Sequence, residues 1–421
     1  MYEPLREKNL FNAQRAELIR RFDLNKESWL AEEVIQRVEE ALAASEDEDG
    51  ISRLFPGQLL TDCRRKRVVL PLLSRQVAEN LLHNGNFRSA KHQVIAEAQA
   101  AMARQIPGVE ASEVKRIIAP RELIPHNGYG KYCPPKSPKY LSGKLAPPEK
   151  VGAKQRDWPA ESDIWLSAKV VDSLVDYLTR EEGISFKKAY AMIFRLAYLR
   201  EMFCPRIDKL KAGQVAWIGI SATERLKWDQ RTAYRNMVPL VLTLHTKEEL
   251  KQLAKVKNID ELDRIQQAQM ARVLTEAYLQ GGLLSLVDLQ QLFLRSCQTF
   301  SRLMRRFMQE QGCILPTPGT VLDAGRAMTH KDIIINHYLD GYFSHEIARM
   351  TWHSPEAVDR YIDDFEKVMV LYFYGLPKRL ISRVLNRGAG VVEEYMQLIE
   401  EHFPDKEDVK SHLRRCGVEF S

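Results

Sequence analysis

One pattern constrains this chain more than any other: a spacing of apolar residues that occurs three times in its last third. Counted from Leu286, the fourth, eighth, fifteenth and eighteenth residues are Leu289, Phe293, Phe300 and Leu303. Counted from Ser344 they are Ile347, Thr351, Val358 and Tyr361, and from Lys378 they are Ile381, Leu385, Val392 and Tyr395. Two short helices that cross through a tight turn can touch only at such positions. The spacing therefore predicts three helix-turn-helix units, each leaving the outer face of its second helix free for a partner.

Local signals agree with this reading. In the first unit Ser285 and Asp288 cap the first helix, and the second helix runs from about Ser296 to Gln311. A supporting helix bearing Met270, Val273, Leu274, Ala277 and Tyr278 precedes it and ends at Gly281-Gly282. Gly312 stops the second helix, and Cys313 to Thr320 follows as a candidate wing. In the second unit Lys331 to Leu339 is the supporting helix, and Ser354-Pro355-Glu356 is a strong helix start. Trp352 holds the turn position that favours glycine, which leaves that turn's geometry open. In the third unit Asn386 sits where a left-handed residue is useful.

Charge distinguishes the units. The second helix of the first is basic, so it is the one expected to read DNA. Arg295, Ser296, Gln298, Thr299 and Arg302 are candidates near the groove, with Arg305 and Arg306 on the backbone. Lys378, Arg379, Arg383 and Arg387 form a second basic cluster on the first helix and turn of the third unit. The second unit, 344–367, presents Glu356, Asp359, Asp363, Asp364 and Glu366 against Arg360 and Lys367. An acidic face is repelled by phosphates, so contact with other proteins is the better expectation there.

The rest of the chain divides by composition. Residues 1–119 read as an N-terminal helical region, with the acidic stretch Ser45 to Gly50 as a solvated loop closing its first helices. Arg64-Arg65-Lys66-Arg67 precedes an apolar run, either a phosphate-binding edge or a surface strand or loop feeding a core element. Eight prolines with interspersed lysines make 120–160 an extended linker. Residues 161–259 read as a small α+β domain with strands at Gln214 to Ile220 and Val238 to Leu244. A capping box at Thr246-Lys247-Glu248-Glu249 opens the helix after them. A winged helix-turn-helix-like unit at 260–328 and two further units at 329–421 complete a mainly α, multi-domain chain.

Several functions lack a signature. None of the six cysteines has C-x-x-C spacing, so no zinc ribbon or redox motif is expected. His337, His345 and His353 read as capping or surface residues, and Asp363-Asp364 diverge on a helix. No P-loop or G-x-G-x-x-G occurs. The expectation is a protein that is not an enzyme and needs no cofactor or metal; a recombinase or nuclease with scattered acids is the remaining catalytic alternative. No apolar run is long enough for a transmembrane helix, and the charged first residues carry no apolar signal segment, so a cytoplasmic, nucleoid-associated location is expected.

A resemblance adds to this. Glu276-Ala277-Tyr278-x-Gln280-Gly281-Gly282, Asp288-Leu289, Pro316-Thr317-x-Gly319-Thr320 and Thr329-His330-Lys331 resemble an uncharacterised prokaryotic family, the domain of unknown function sixteen-seventy. Asp340-Gly341-Tyr342, Ile347-Ala348 and His353 to Tyr361 are similar to it as well. The likeness runs from about Asp163 to Phe403. It implies site-specific DNA binding in the setting of mobile elements. Where a family-like arginine is expected in the wing, the chain has Pro318.

Together these readings predict a sequence-specific binder of double-stranded DNA, a regulator or the recognition subunit of a mobile-element system. The net charge of +6 permits this without requiring it. The alternative is a protein–protein adaptor that uses the helix-turn-helix units as a scaffold. A homodimer is compatible with either.

Overall fold

The computed structural model describes residues 3–124, 164, 166–223, 236–311, 314–322 and 331–419. Most of the predicted linker, 120–160, and the resemblance residues Thr329 and His330 lie outside these. The chain forms two compact units, divided within the helix that begins at Cys297.

The first unit is an antiparallel sheet wrapped in helices. Three helices open it, α1 (Glu3–Glu7), α2 (Leu10–Phe22) and α3 (Ser28–Glu48). A hairpin follows, β1 (Gln58–Cys63) and β2 (Lys66–Pro71), then α4 (Arg75–Asn84), α5 (Phe87–Gln105) and α6 (Ala111–Ile118). Beyond residue 163 come α7 (Ala168–Arg180), α8 (Phe186–Phe203), β3 (Gln214–Ser221), β4 (Met237–Thr243), α9 (Lys247–Leu253) and α10 (Ile259–Leu279). The short β5 (Gly282–Leu283), α11 (Leu286–Phe293) and the start of α12 (Cys297–Gln311) complete it.

The sheet order is β2-β1-β3-β4, with β5 paired to β3. Gln58 and Leu59 pair with Ala216 and Val215, so strands far apart in sequence share one sheet. The predicted helical region at 1–119 therefore also contains two strands, and it is not separate from the predicted α+β domain at 161–259. Packing agrees: α2 and α3 bury Leu18, Val34, Ile35 and Val38 in one core with Leu174, Leu178, Ile193 and Leu196 of α7 and α8.

The acidic stretch at 45–50 also differs from its reading as a solvated loop. Ser45 to Glu48 continue α3, and Glu46 is buried. Its carboxylate accepts from Arg53 at 2.6 Å and from Arg200 at 2.7 Å, while Arg53 also reaches Glu201 at 2.7 Å. A buried charge of this kind persists only when it is paired and hydrogen-bonded on several sides. Local composition reports none of these partners, two of which lie some 150 residues away in sequence.

The second unit is helical among its described residues. It holds most of the short α13 (Pro318–Val321), then α14 (Lys331–Leu339), α15 (Ser344–Thr351), α16 (Pro355–Phe373), α17 (Lys378–Leu385), α18 (Ala389–His402) and α19 (Lys406–Arg415). Long α16 is shared: its first half closes a core with Ile334, Ile347 and Ala348, and its second half packs Phe365, Val368 and Met369 against Ile381, Val392 and Tyr395. One helix thus serves as the second element of one predicted unit and the support of the next.

Candidate nucleic-acid interface

All three predicted helix pairs form, and each turns on a residue in the left-handed region. These pivots are Leu294 (φ 52°), Trp352 (φ 62°) and Asn386 (φ 51°). A left-handed residue after a short helix reverses the chain within a few residues and lets the second helix start across the first. The expected contact positions are filled: Leu289, Phe300, Leu303, Ile347, Thr351, Val358, Ile381 and Val392 are all fully buried. In the second pair Trp352 adopts the left-handed conformation despite its bulk, and its indole N–H donates to the Ile314 carbonyl at 2.7 Å.

The first corner is held from within its unit. Asp288 sits at 0% exposure and accepts from Lys8 Nζ at 2.9 and 2.7 Å, from Trp217 Nε1 at 3.0 Å and from the Ser285 amide at 2.8 Å. The Gln291 amide donates to the Leu72 carbonyl at 2.6 Å. Helix α11 is thereby fastened to the chain leaving α1, to β3 and to the chain leaving β2.

The basic candidates of this corner fall into two groups. Arg295 is only 6% exposed and donates to Asp263 at 2.7 Å and to Gln266 at 2.6 Å. Burial pushes its guanidinium below the usual range, and the Asp263 carboxylate opposes that. Arg295 is a core ion-pair residue, which corrects its reading as a DNA contact. The Ser296 and Thr299 hydroxyls meet at 3.0 Å, and Ser296 Oγ accepts the Thr299 amide at 3.3 Å, so Ser296 caps α12. The second group faces outward. Gln298 is exposed, and Ser301, Arg302 and Arg305 are half-buried on the same stripe of the helix. The Arg302 side chain, 41% exposed, is braced by Asp263 at 2.6 Å, and Arg305 donates to Ser301 Oγ at 2.9 Å. Arg306 is half-buried.

The predicted wing is absent from the described part of its range. Residues 314–317 form no strand, and Pro318–Val321 is a short helix with Thr320 buried. Proline lacks the amide that a strand ladder needs and suits the first turn of a helix, which explains the outcome at Pro316 and Pro318.

The second basic cluster is partly neutralised. Lys378 pairs with Glu393 at 2.9 Å and Arg387 with Asp364 at 3.0 Å, while Arg379 and Arg383 are exposed. Two of the three histidines are buried: His337 at 4% exposure and His353 at 7%, the latter with Nδ1 2.8 Å from the Thr351 carbonyl oxygen. Burial removes the surface alternative for these two, while His353, on the last carbonyl of the helix ending at Thr351, fits the capping one. Only His345 is exposed. Among the described residues no group of His, Cys, Asp and Glu is arranged to hold a metal ion.

Comparison with protein-family models finds a match over residues 187–398, to a family described as "Protein of unknown function (DUF1670)". The chain belongs to the DUF1670 family. The matched span covers half of its length. No curated protein and no solved structure is detectably similar to it.

The geometry explains several of the residues on which the DUF1670 likeness rests. Strand β4 lies at an edge of the sheet, and α10 covers that edge with side chains. Gln280 Oε1 accepts the Val241 amide and its Nε2 donates to the Val241 carbonyl, both at 2.9 Å. Glu276 accepts the Thr243 amide at 2.6 Å. These two side chains stand in for a missing strand. A Cβ on Gly282 would lie 2.9 Å from a Leu240 methyl, so the Leu240 side chain would have to shift. The Glu276-to-Gly282 motif and Asp288 therefore have structural duties. Of the family-like positions in the second unit, Lys331, Arg360 and Tyr361 line a groove of about 290 Å³ with Asp364, Arg387 and Tyr395.

Proposed function

We propose that this DUF1670 protein binds duplex DNA through its first corner, with α12 as the helix that enters the major groove. The observation that carries this reading is the stripe Gln298, Ser301, Arg302 and Arg305 on the outward face of a helix whose other face is buried through Phe300, Leu303 and Met304. Glutamine and arginine pair bidentately with adenine and guanine edges, and a second arginine one turn on suits the phosphate backbone. Bracing by Asp263 sets the direction of Arg302 in advance, which lowers the ordering cost of binding. Regulation of transcription or recognition of a mobile element's ends, in the nucleoid, would both use such a surface.

The test is an anisotropy titration of the full chain against random duplex DNA and DNA from the gene's own neighbourhood, at two salt concentrations. Tight binding that falls steeply with salt and is lost in Arg302→Glu/Arg305→Glu is the expected result. Binding that ignores both salt and the double reversal would overturn the reading.

The second unit favours a different partner. Residues 331–419 carry 12 Lys and Arg against 16 Asp and Glu, a net charge of −4. Leu380 and Val384 lie one turn apart on α17 at 42% and 57% exposure, beside Arg379 and Arg383, with Tyr374 at 60%. An apolar pair beside cations on an acidic body suits a protein surface better than a phosphate backbone. Here the adaptor reading applies, and Arg379→Glu/Arg383→Glu is expected to leave DNA affinity unchanged.

A further inference from the structure

The hairpin β1–β2 closes with a two-residue turn. Cys63 pairs with Lys66, and the residues between them are Arg64 and Arg65. Both lie in the left-handed region, at φ 47° and φ 66°. Two-residue hairpin turns with two positive φ values are the place where Asn-Gly or Asp-Gly is strongly preferred, because those residues bear this conformation at little steric cost. A chain selected only for a stable hairpin would carry such a pair. This one carries two arginines instead, followed at once by Lys66 and Arg67, and all four are exposed.

The surroundings add charge of the same sign. The Arg67 guanidinium reaches the carbonyls of Ile207 and Leu210 at 3.4 Å, in the segment that carries exposed Lys209 and Lys211. Among the described residues four acids lie nearby: Glu113 pairs with Arg64, which holds its carboxyl below the usual range, Asp208 pairs with Arg206 at 2.7 Å, Asp62 lies 3.8 Å from Lys247, and Glu110 accepts from the Ser112 hydroxyl at 3.1 Å. Arg65 and Lys66 form no ion pair with any described residue.

We infer that the β1–β2 hairpin tip is a DNA-backbone contact, in which Arg65 and Lys66 grip phosphates of the bound duplex while Arg64 stays on Glu113. A two-stranded ribbon is narrow enough to follow a groove, and arginine at its tip suits the negative potential there. The backbone strain is the cost of placing these cations at the exposed tip of the ribbon. The inference rests on the DNA-binding reading and adds a second contact surface to it.

The experiment compares the full-length chain with Arg64→Asn/Arg65→Gly, which supplies the residues the turn prefers, and with Lys66→Gln, which leaves the turn alone. Affinity for a random duplex is measured across salt concentrations, with thermal melting in parallel. Each phosphate contact contributes roughly 0.9 to the slope of log affinity against log salt. The double variant is expected to melt at or above the wild-type temperature, bind about tenfold more weakly at moderate salt, and lose about 1 from the slope. Lys66→Gln is expected to lose about 1. If both variants keep the wild-type slope while Arg302→Glu/Arg305→Glu loses binding, the hairpin proposal is overturned and the α12 reading stands. If the wild-type chain binds no duplex at all, both fall. If the double variant melts lower, Lys66→Gln decides alone.

Discussion

The first corner and the third share a backbone and little else. Leu294 and Asn386 pivot at φ 52° and 51°, and the helices on either side meet through the same four positions. Yet Leu294 is 2% exposed and its helix α11 is buried from Asp288 to Phe293, whereas Asn386 is exposed and α17 shows Arg379, Leu380, Arg383 and Val384 to solvent. The first corner is locked by a buried carboxylate, and the third by apolar packing with ion pairs at its rim. The corner itself is thus a cheap and repeatable unit. Each copy's capacity is set by what anchors the first helix and what the second helix leaves outside.

The sharpest way to break this contrast is to remove the lock. Asp288→Ala strands Lys8, which is buried at 7% exposure, and takes the acceptor from Trp217. Breaking a buried pair from one side costs about 3–5 kcal/mol, so denaturant unfolding should show a loss of that size. The matching pair at the third corner, Lys378–Glu393, is exposed, and Lys378→Ala should cost less than about 1 kcal/mol. Equal losses would mean that both corners are anchored alike.

The pivots give the next effect. Leu294→Gly relieves the left-handed backbone but empties a buried site, and loss of a buried leucine outweighs the relief. A net loss of about 2 kcal/mol is expected in the same unfolding assay. A variant as stable as wild type would show that Leu294 packs against little.

Acid should then weaken both units through buried histidines. Burial holds His245 down to about 4, below the 6.5 it has when exposed, and pushes His337 down as well. The unfolded chain therefore binds more protons than the native one between these values, and stability falls as pH drops through that window. For His245 the loss from pH 7 to pH 5 is about 2 kcal/mol. Its Nε2 lies 3.3 Å from Thr61 Oγ1, in the first unit's sheet region. His245→Gln should flatten the acid side of the profile by that amount; a profile unchanged by the substitution would assign the acid sensitivity elsewhere.

What could be read in the sequence followed from local rules. The caps at Thr246 and Ser354, the contact positions of the three corners and the strands near 214 and 238 all depend on neighbours within about twenty residues, and all were legible. The failures share a different cause. Arg295 looked like a groove residue because its partner Asp263 lies 32 residues upstream on α10. Glu46 looked like part of a solvated run because Arg200 meets it only in the fold. The hairpin at 58–71 was legible only in part: the run after the basic cluster had a surface strand among its readings, and β2 bears that out, but the pairing with β3 that joins it to the rest of the sheet spans the whole middle of the chain. The basic run at 64–67 was legible as charge, but the left-handed turn beneath its first two residues was not.

The smallest effect sharpens the comparison most cleanly, because it isolates the pivot from its packing. Asn386 is exposed, so glycine there changes the backbone and almost nothing else. Asparagine already tolerates the left-handed region, and glycine adds entropy to the unfolded chain, so Asn386→Gly should shift stability by no more than about 0.5 kcal/mol. The same substitution at Leu294 relieves more backbone strain, because leucine tolerates the left-handed region less well than asparagine, so the difference between the two measurements is a lower bound on the worth of burying the first pivot. If Asn386→Gly instead cost more than about 1 kcal/mol, the third corner would depend on its asparagine side chain, and the backbone likeness of the two corners would no longer mean that they are interchangeable in energy.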